Sequence, residues 1–159
     1  VLENTLPSKV EIAAGGDTLT TSTLTGLTKF PDDSIVAIHD AVRPLLSVEL
    51  IRRCFFAAEK FGNACPAIIP VDSLRRKTDD QSESVNRDNY LQVQTPQVFK
   101  ASLLKSAFEK MKTGGFMDEA SLFEAAGNII YIVEGERWNI KITYPEDLII
   151  AEALSLQTK

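Results

Sequence analysis

The 159 residues carry 44% hydrophobic and 25% charged side chains and a formal net charge of -5. That length suits one domain with a sizeable core, and the longest apolar runs fall short of the roughly 18 residues that read as a bilayer span. An acidic balance argues against a nucleic-acid or anionic-membrane partner, which needs a broad basic face, and leaves room only for a small anion held by a local cluster.

Two cysteines, Cys54 and Cys65, fall inside predicted elements without CxxC spacing. They read as reduced, buried thiols, which points to the cytoplasm. Residues 1–8 lack the basic start and apolar run of a signal peptide.

In chain order, Lys9 to Ala14 alternates weakly and meets Gly15-Gly16-Asp17, predicting a strand that ends in a turn. Leu19 to Lys29 predicts a helix, weakened by Gly26 and its β-branched threonines. Phe30 to Asp33 is a turn. Ile35 to Ile38 is too short for a helix and wholly apolar, so it predicts a strand buried on both faces of a mostly parallel sheet. His39, Asp40 and Arg43 follow at its carboxyl end, where open α/β sheets place their ligands.

Ser47 caps a predicted helix with apolar residues at 50, 51, 54, 55 and 58 and a stop at Gly62. Ala64 to Val71 predicts a second buried strand, completing a βαβ unit of an α/β fold. Residues 72–93 then change character. The stretch from Arg75 to Ser84 has almost nothing to bury, so it predicts a projecting hairpin arm that docks on another subunit. The chain returns through Gln94-Thr95-Pro96-Gln97 with Thr95 extended before the proline. Helices are predicted at Ser102 to Lys112, stopped by Gly114-Gly115, and at Asp118 to Ala126, stopped by Gly127. Ile129 to Val133 predicts a strand, and a Thr143-x-x-Glu146 capping box with Pro145 opens a last helix.

Three groups could do chemistry. Asp40 and Arg43, three residues apart, either face a small ligand together or pair to close the turn. The only histidine, His39, reads as a packing or hydrogen-bonding residue because no second histidine completes a metal site. Gly16, Asp17 and Ser22 could set backbone N–H groups and a hydroxyl against a base or phosphate. No Arg or Lys follows Ala13-Ala14-Gly15-Gly16 before Lys29, so that stretch is not read as a phosphate loop. Lys141, between Ile140 and Ile142, reads as a lysine in an apolar strand that either snorkels to an edge or serves a phosphate. Arg87 is by composition a solvated charge.

Taken together, Gly15-Gly16-Asp17 with Ser22, His39-Asp40-Ala41-Val42-Arg43-Pro44, Gln94-Thr95-Pro96-Gln97-Val98-Phe99, Asp118-Glu119-Ala120-Ser121 and Asn139-Ile140-Lys141-Ile142-Thr143 resemble the 2-C-methyl-D-erythritol 4-phosphate cytidylyltransferases. The pieces occur in family order along nearly the whole chain. The resemblance implies a Rossmann-like nucleotidyltransferase domain that moves CMP from CTP to a sugar-alcohol phosphate and releases pyrophosphate. It implies that Gly16, Asp17 and Ser22 hold the nucleoside side of CTP, and that Asp40 and Arg43 line its junction with the acceptor. Lys141 would position the attacking phosphate, Ser73 and Thr95 would contact the acceptor, and Arg87 would reach the site from a partner subunit across a homodimer. Mg²⁺ would ride mainly on the triphosphate.

The pattern also departs from the family. Leu19 stands where the family has arginine, Ser73 and Met117 where it has threonine, and Arg75 where it has lysine. The family's N-terminal glycine-rich loop has no counterpart in residues 1–159. They resemble the C-terminal two thirds of one such domain, with residues 72–93 as its dimerisation arm, and the expectation is that they do not turn over alone. Ribitol 5-phosphate cytidylyltransferases share several of the motifs; Arg87 and Asp118-Glu119-Ala120-Ser121 sit closer to the methylerythritol family. A non-catalytic dimerisation or ligand-binding remnant is the alternative from another class.

Overall fold

A computed structural model describes residues 10–111 and 115–156. The helix most plainly written in the sequence forms as expected. α2, Val48–Phe61, opens where the Ser47 hydroxyl accepts the Leu50 N–H at 2.9 Å and closes at Gly62, whose φ of 91° suits a residue without a side chain. Its buried face, Leu50, Cys54, Ala57 and Ala58, lies against one side of the sheet with Ala64, Val98 and Val133.

On the other side of the sheet pack α1 (Leu19–Leu27), α3 (Ala101–Lys110) and α4 (Glu119–Ala125). Their core joins Leu27, Val36, Phe99, Leu104 and Phe123, with the Phe99 and Phe123 rings 5.1 Å apart. Helices on both faces make the three layers of an α/β domain.

The sheet is mixed. β1 (Ile35–Ile38) and β2 (Asn63–Ile68) run in the same direction with β6 (Gln97–Lys100) antiparallel between them, and β7 (Ile132–Glu134) pairs parallel with β2. The sheet expected to be mostly parallel thus has β1 and β2 running the same way but each antiparallel to β6, because the chain returning from the arm inserts between them. Burial of β1 is also less complete than its composition suggested. Ile35 packs toward α2 and Val36 toward the opposite core, but Ala37 is exposed, since among the described residues β1 pairs along one edge only.

β5 (Gln92–Val93) precedes β6 and is likewise antiparallel to β2. Ala64 faces Val98 while Ala67 faces Val93, so three steps on β2 are matched by five on the returning chain. The excess forms a bulge holding Gln94, Thr95 and Pro96, and bulges re-aim side chains beside sites. The Thr95-Pro96 bond in it is cis.

Other expectations change. Residues 10–16 form no strand and are exposed, and Lys9 lies outside the described residues. α3 ends at Lys110 with Met111 as its cap, ahead of Gly115; Lys112 and Gly114 are not described. α5 (Pro145–Ser155) begins at the predicted proline, but the cap runs the other way from the Thr143 box. The Asp147 carboxylate accepts the N–H groups of Thr143 and Tyr144 at 2.8 and 2.9 Å, which holds its pKa below the ordinary carboxylate value. Lys141 lies in a loop rather than a strand.

The arm is a hairpin of β3 (Arg75–Lys77) and β4 (Ser82–Ser84), exposed along its whole length. Cys54 and Cys65 are free and buried, and burial pushes their thiols up to about 11 and about 12.

Candidate active site

At the carboxyl end of β1 the chain turns through Asp40 to Arg43, and the β5–β6 bulge holds that turn. The Thr95 hydroxyl accepts the Asp40 N–H at 3.0 Å and lies 3.0 Å from His39 Nδ1. If Thr95 donates to Nδ1, Nε2 keeps the ring hydrogen and donates it to the Arg43 carbonyl at 3.3 Å. His39 thus braces the turn, as its lack of a second histidine suggested.

The Arg43 side chain is nine-tenths buried, and two of its nitrogens are engaged. Its Nε donates to Asp40 Oδ2 at 3.1 Å and its Nη1 to the Asn139 carbonyl at 2.7 Å. Lys141 Nζ lies 3.4 Å from the same Asp40 oxygen. The loop carrying Lys141 is fixed by the Ile142 N–H donating to the Val42 carbonyl, by Asn139 Nδ2 donating to the Thr95 carbonyl, and by Gln94, whose amide bonds both backbone groups of Glu136. Two cations and one carboxylate form a ridge whose net charge is positive.

The ridge separates two hollows. The larger, about 420 Å³, is bounded by Ser22 and Thr23 of α1, the His39-Asp40 turn, Thr95, and Asp118-Glu119 at the start of α4. The smaller, about 270 Å³, lies toward Gln92, Arg137 and Asn139. Arg43 and Lys141 line both. Two compartments that meet at shared cations suit two anionic ligands whose charged ends must approach each other.

Of the residues singled out in the sequence, Ser22, Asp40, Arg43, Thr95 and Lys141 come together here. Gly16 is coupled to them through its N–H, which donates to the Ser22 hydroxyl at 2.9 Å. Asp17, Ser73 and Arg87 line neither hollow. The Arg87 guanidinium instead donates to the Val71 carbonyl at the base of the arm.

Glu119, in sequence one member of the Asp118-Glu119-Ala120-Ser121 motif, is 4% exposed and accepts the Thr23 hydroxyl at 2.6 Å. Burial raises its pKa, more than the Thr23 hydrogen bond lowers it. An acid in the first turn of a helix reads in sequence as a solvated dipole partner, so no signal marked its burial. Gln97 is equally hidden: its amide accepts the Ala120 N–H and donates to Asp118, each at 2.8 Å, locking α4 to the sheet.

A mixed sheet between two helical layers, with a two-compartment cationic site beyond β1, is the nucleotide-diphospho-sugar transferase type of α/β fold. Two solved structures share it. The 2-C-methyl-D-erythritol 4-phosphate cytidylyltransferase from Thermus thermophilus superposes with a TM-score of 0.79 at 34% identity, over 94% of this chain and 79% of that one. The 4-diphosphocytidyl-2C-methyl-D-erythritol synthase from Anaerococcus prevotii gives 0.84 at 32%, over 96% and 73%. The family model for IspD, 2-C-methyl-D-erythritol 4-phosphate cytidylyltransferase, matches residues 2–157. The enzyme of that name from Bacteroides fragilis is 48% identical over 143 residues, 90% of this chain and 65% of the relative. This chain belongs to the IspD family. It spans about 65% of the length of such curated relatives.

Proposed function

We propose that the protein carrying this chain transfers CMP from CTP to 2-C-methyl-D-erythritol 4-phosphate, giving 4-diphosphocytidyl-2-C-methyl-D-erythritol and pyrophosphate. The observation that carries this reading is the pair Arg43 and Lys141 at the boundary of two hollows. In the reaction an acceptor phosphate oxygen attacks the α-phosphorus of CTP; a new P–O bond forms as the bond to pyrophosphate breaks. Both reactants are anionic, so catalysis rests on positioning and on offsetting charge. The larger hollow would take the nucleotide, with Gly16, Asp17 and Ser22 toward its nucleoside, and the smaller the acceptor. Asp40 would hold both cations at the junction, with Thr95 fixing the turn.

Mg²⁺ would be carried by the triphosphate. No group of three His, Cys, Asp or Glu side chains among the described residues is placed to hold it, and Asp40 could offer only Oδ1, because Oδ2 serves Arg43 and Lys141. One carboxylate plus substrate phosphates is a common Mg²⁺ environment, and the metal would neutralise triphosphate charge.

Residues 72–93 would serve as a dimerisation arm delivering Arg87, and with it Ser73, to a partner's site. The exposed hairpin and the absence of Arg87 from both hollows favour this. Residues 1–159 would belong to the catalytic domain of that protein. Two buried free thiols favour the cytoplasm, and no helix among the described residues is long and apolar enough to cross a membrane.

The test is pyrophosphate release by the whole natural protein given CTP, Mg²⁺ and either acceptor. Faster release with 2-C-methyl-D-erythritol 4-phosphate by tenfold or more is expected. Preference for ribitol 5-phosphate would reassign the acceptor, and millimolar or weaker CTP binding without turnover would favour the remnant.

A further inference from the structure

The smaller hollow is lined by three cations, and two are already engaged: Arg43 and Lys141 share Asp40. The third, Arg137, makes no hydrogen bond or ion pair among the described residues. Its acidic neighbours in sequence do not neutralise it. Glu136 is 9% exposed and turned toward Ser47, Arg53 and Trp138, and Glu134, which lines an adjacent hollow with Arg137, forms no ion pair with it.

Charge bookkeeping then discriminates between ligands. Arg43, Lys141 and Asp40 sum to one positive charge, and Arg137 raises the hollow to two. A phosphate monoester, with a second pKa near 6, carries about two negative charges at neutral pH, whereas a bare polyol carries none. A guanidinium can also offer two parallel N–H groups to phosphate oxygens. Arg137 does not line the larger hollow.

We propose that Arg137 is a binding residue for the acceptor's phosphate, making the smaller hollow selective for a phosphorylated over a free polyol and having no part in nucleotide binding. This rests on the cytidylyl-transfer reading, which assigns the acceptor to that hollow. Arg137 recognises the phosphate oxygens that do not attack, while Arg43 and Lys141 stay with the junction.

The experiment measures binding without CTP present, by calorimetry on the whole natural protein and its Arg137→Gln and Arg137→Lys variants. The ligands are 2-C-methyl-D-erythritol 4-phosphate, the free polyol and, separately, CTP. Arg137→Gln is expected to weaken the phosphorylated acceptor at least tenfold and Arg137→Lys about threefold, with CTP and free-polyol binding unchanged within twofold. Acceptor binding by Arg137→Gln within twofold of the parent, or an equal loss for CTP, overturns the proposal. If the parent protein forms the cytidylyl product and Arg137→Gln binds the acceptor as well as the parent does, Arg137 alone is refuted. If phosphate binding depends on Arg137 but no product forms with CTP, the transfer reading is refuted while this proposal holds. A parent protein that neither binds the acceptor nor forms product with CTP and Mg²⁺ refutes both.

Discussion

The ridge and the arm use the same residue types to different ends. At the ridge, the Arg43 side chain is 10% exposed and commits two donors, one to Asp40 and one to a backbone carbonyl supplied 96 residues later. On the arm, Arg75 bonds to Ser82 and Arg76 pairs with Glu83, each seven residues away across the hairpin and open to solvent. A charge held by distant backbone is a fixed part of the domain; a charge held by its own hairpin is free to serve whatever the hairpin meets. The exposed pairs are screened and contribute little to stability, whereas removing one partner of a buried pair leaves an uncompensated charge.

The sharpest way to break this contrast is Arg43→Met. It removes the shorter of two cation contacts to Asp40 and the shorter of two hydrogen bonds to the Asn139 carbonyl, leaving Lys141 and Gln94 at 3.4 Å each, so unfolding free energy should fall by about 2 kcal/mol in urea titrations. A loss below about 1 kcal/mol would mean that water reaches the ridge as freely as the arm. Glu119→Gln gives a smaller, pH-dependent effect. Because the fold raises the Glu119 pKa above its ordinary value of 4.5, the stability tied to its protonated form is complete below that value and lost as pH rises through the folded one. The variant keeps an oxygen for Thr23 and sheds the buried charge. Its melting temperature should therefore match the parent's at pH 4 and exceed it at pH 7.5; a lower value at pH 7.5 would contradict the assigned burial cost. Arg76→Ala should sit at the other extreme, within about 0.5 kcal/mol of the parent.

Much of this was legible in the sequence where local chemistry decides. The Ser47 cap, the Gly62 and Gly127 stops, the proline opening α5 and the polar arm all follow from single residues and their neighbours. Pairing was not legible: an apolar run says that a strand is covered, not which strand lies beside it, and β6 slipped between β1 and β2 from beyond the arm. The site divided along the same line. Asp40 and Arg43 announced themselves three residues apart after a strand. Lys141 was visible only as a misplaced ammonium, and the hidden Glu119 and the shared boundary of two hollows needed contacts across the sheet.

The central claim is that the Arg43–Lys141 ridge is where the two phosphates meet, and Lys141→Met tests it most directly. Lys141 is half exposed and holds no backbone carbonyl in place, so the variant should fold as the parent does, with matching circular dichroism and melting temperature. In the whole natural protein, with CTP, Mg²⁺ and 2-C-methyl-D-erythritol 4-phosphate, pyrophosphate release should fall about a hundredfold, the scale of losing one stabilising donor at a reacting oxyanion. A folded Lys141→Met protein that releases pyrophosphate within twofold of the parent rate would contradict the account.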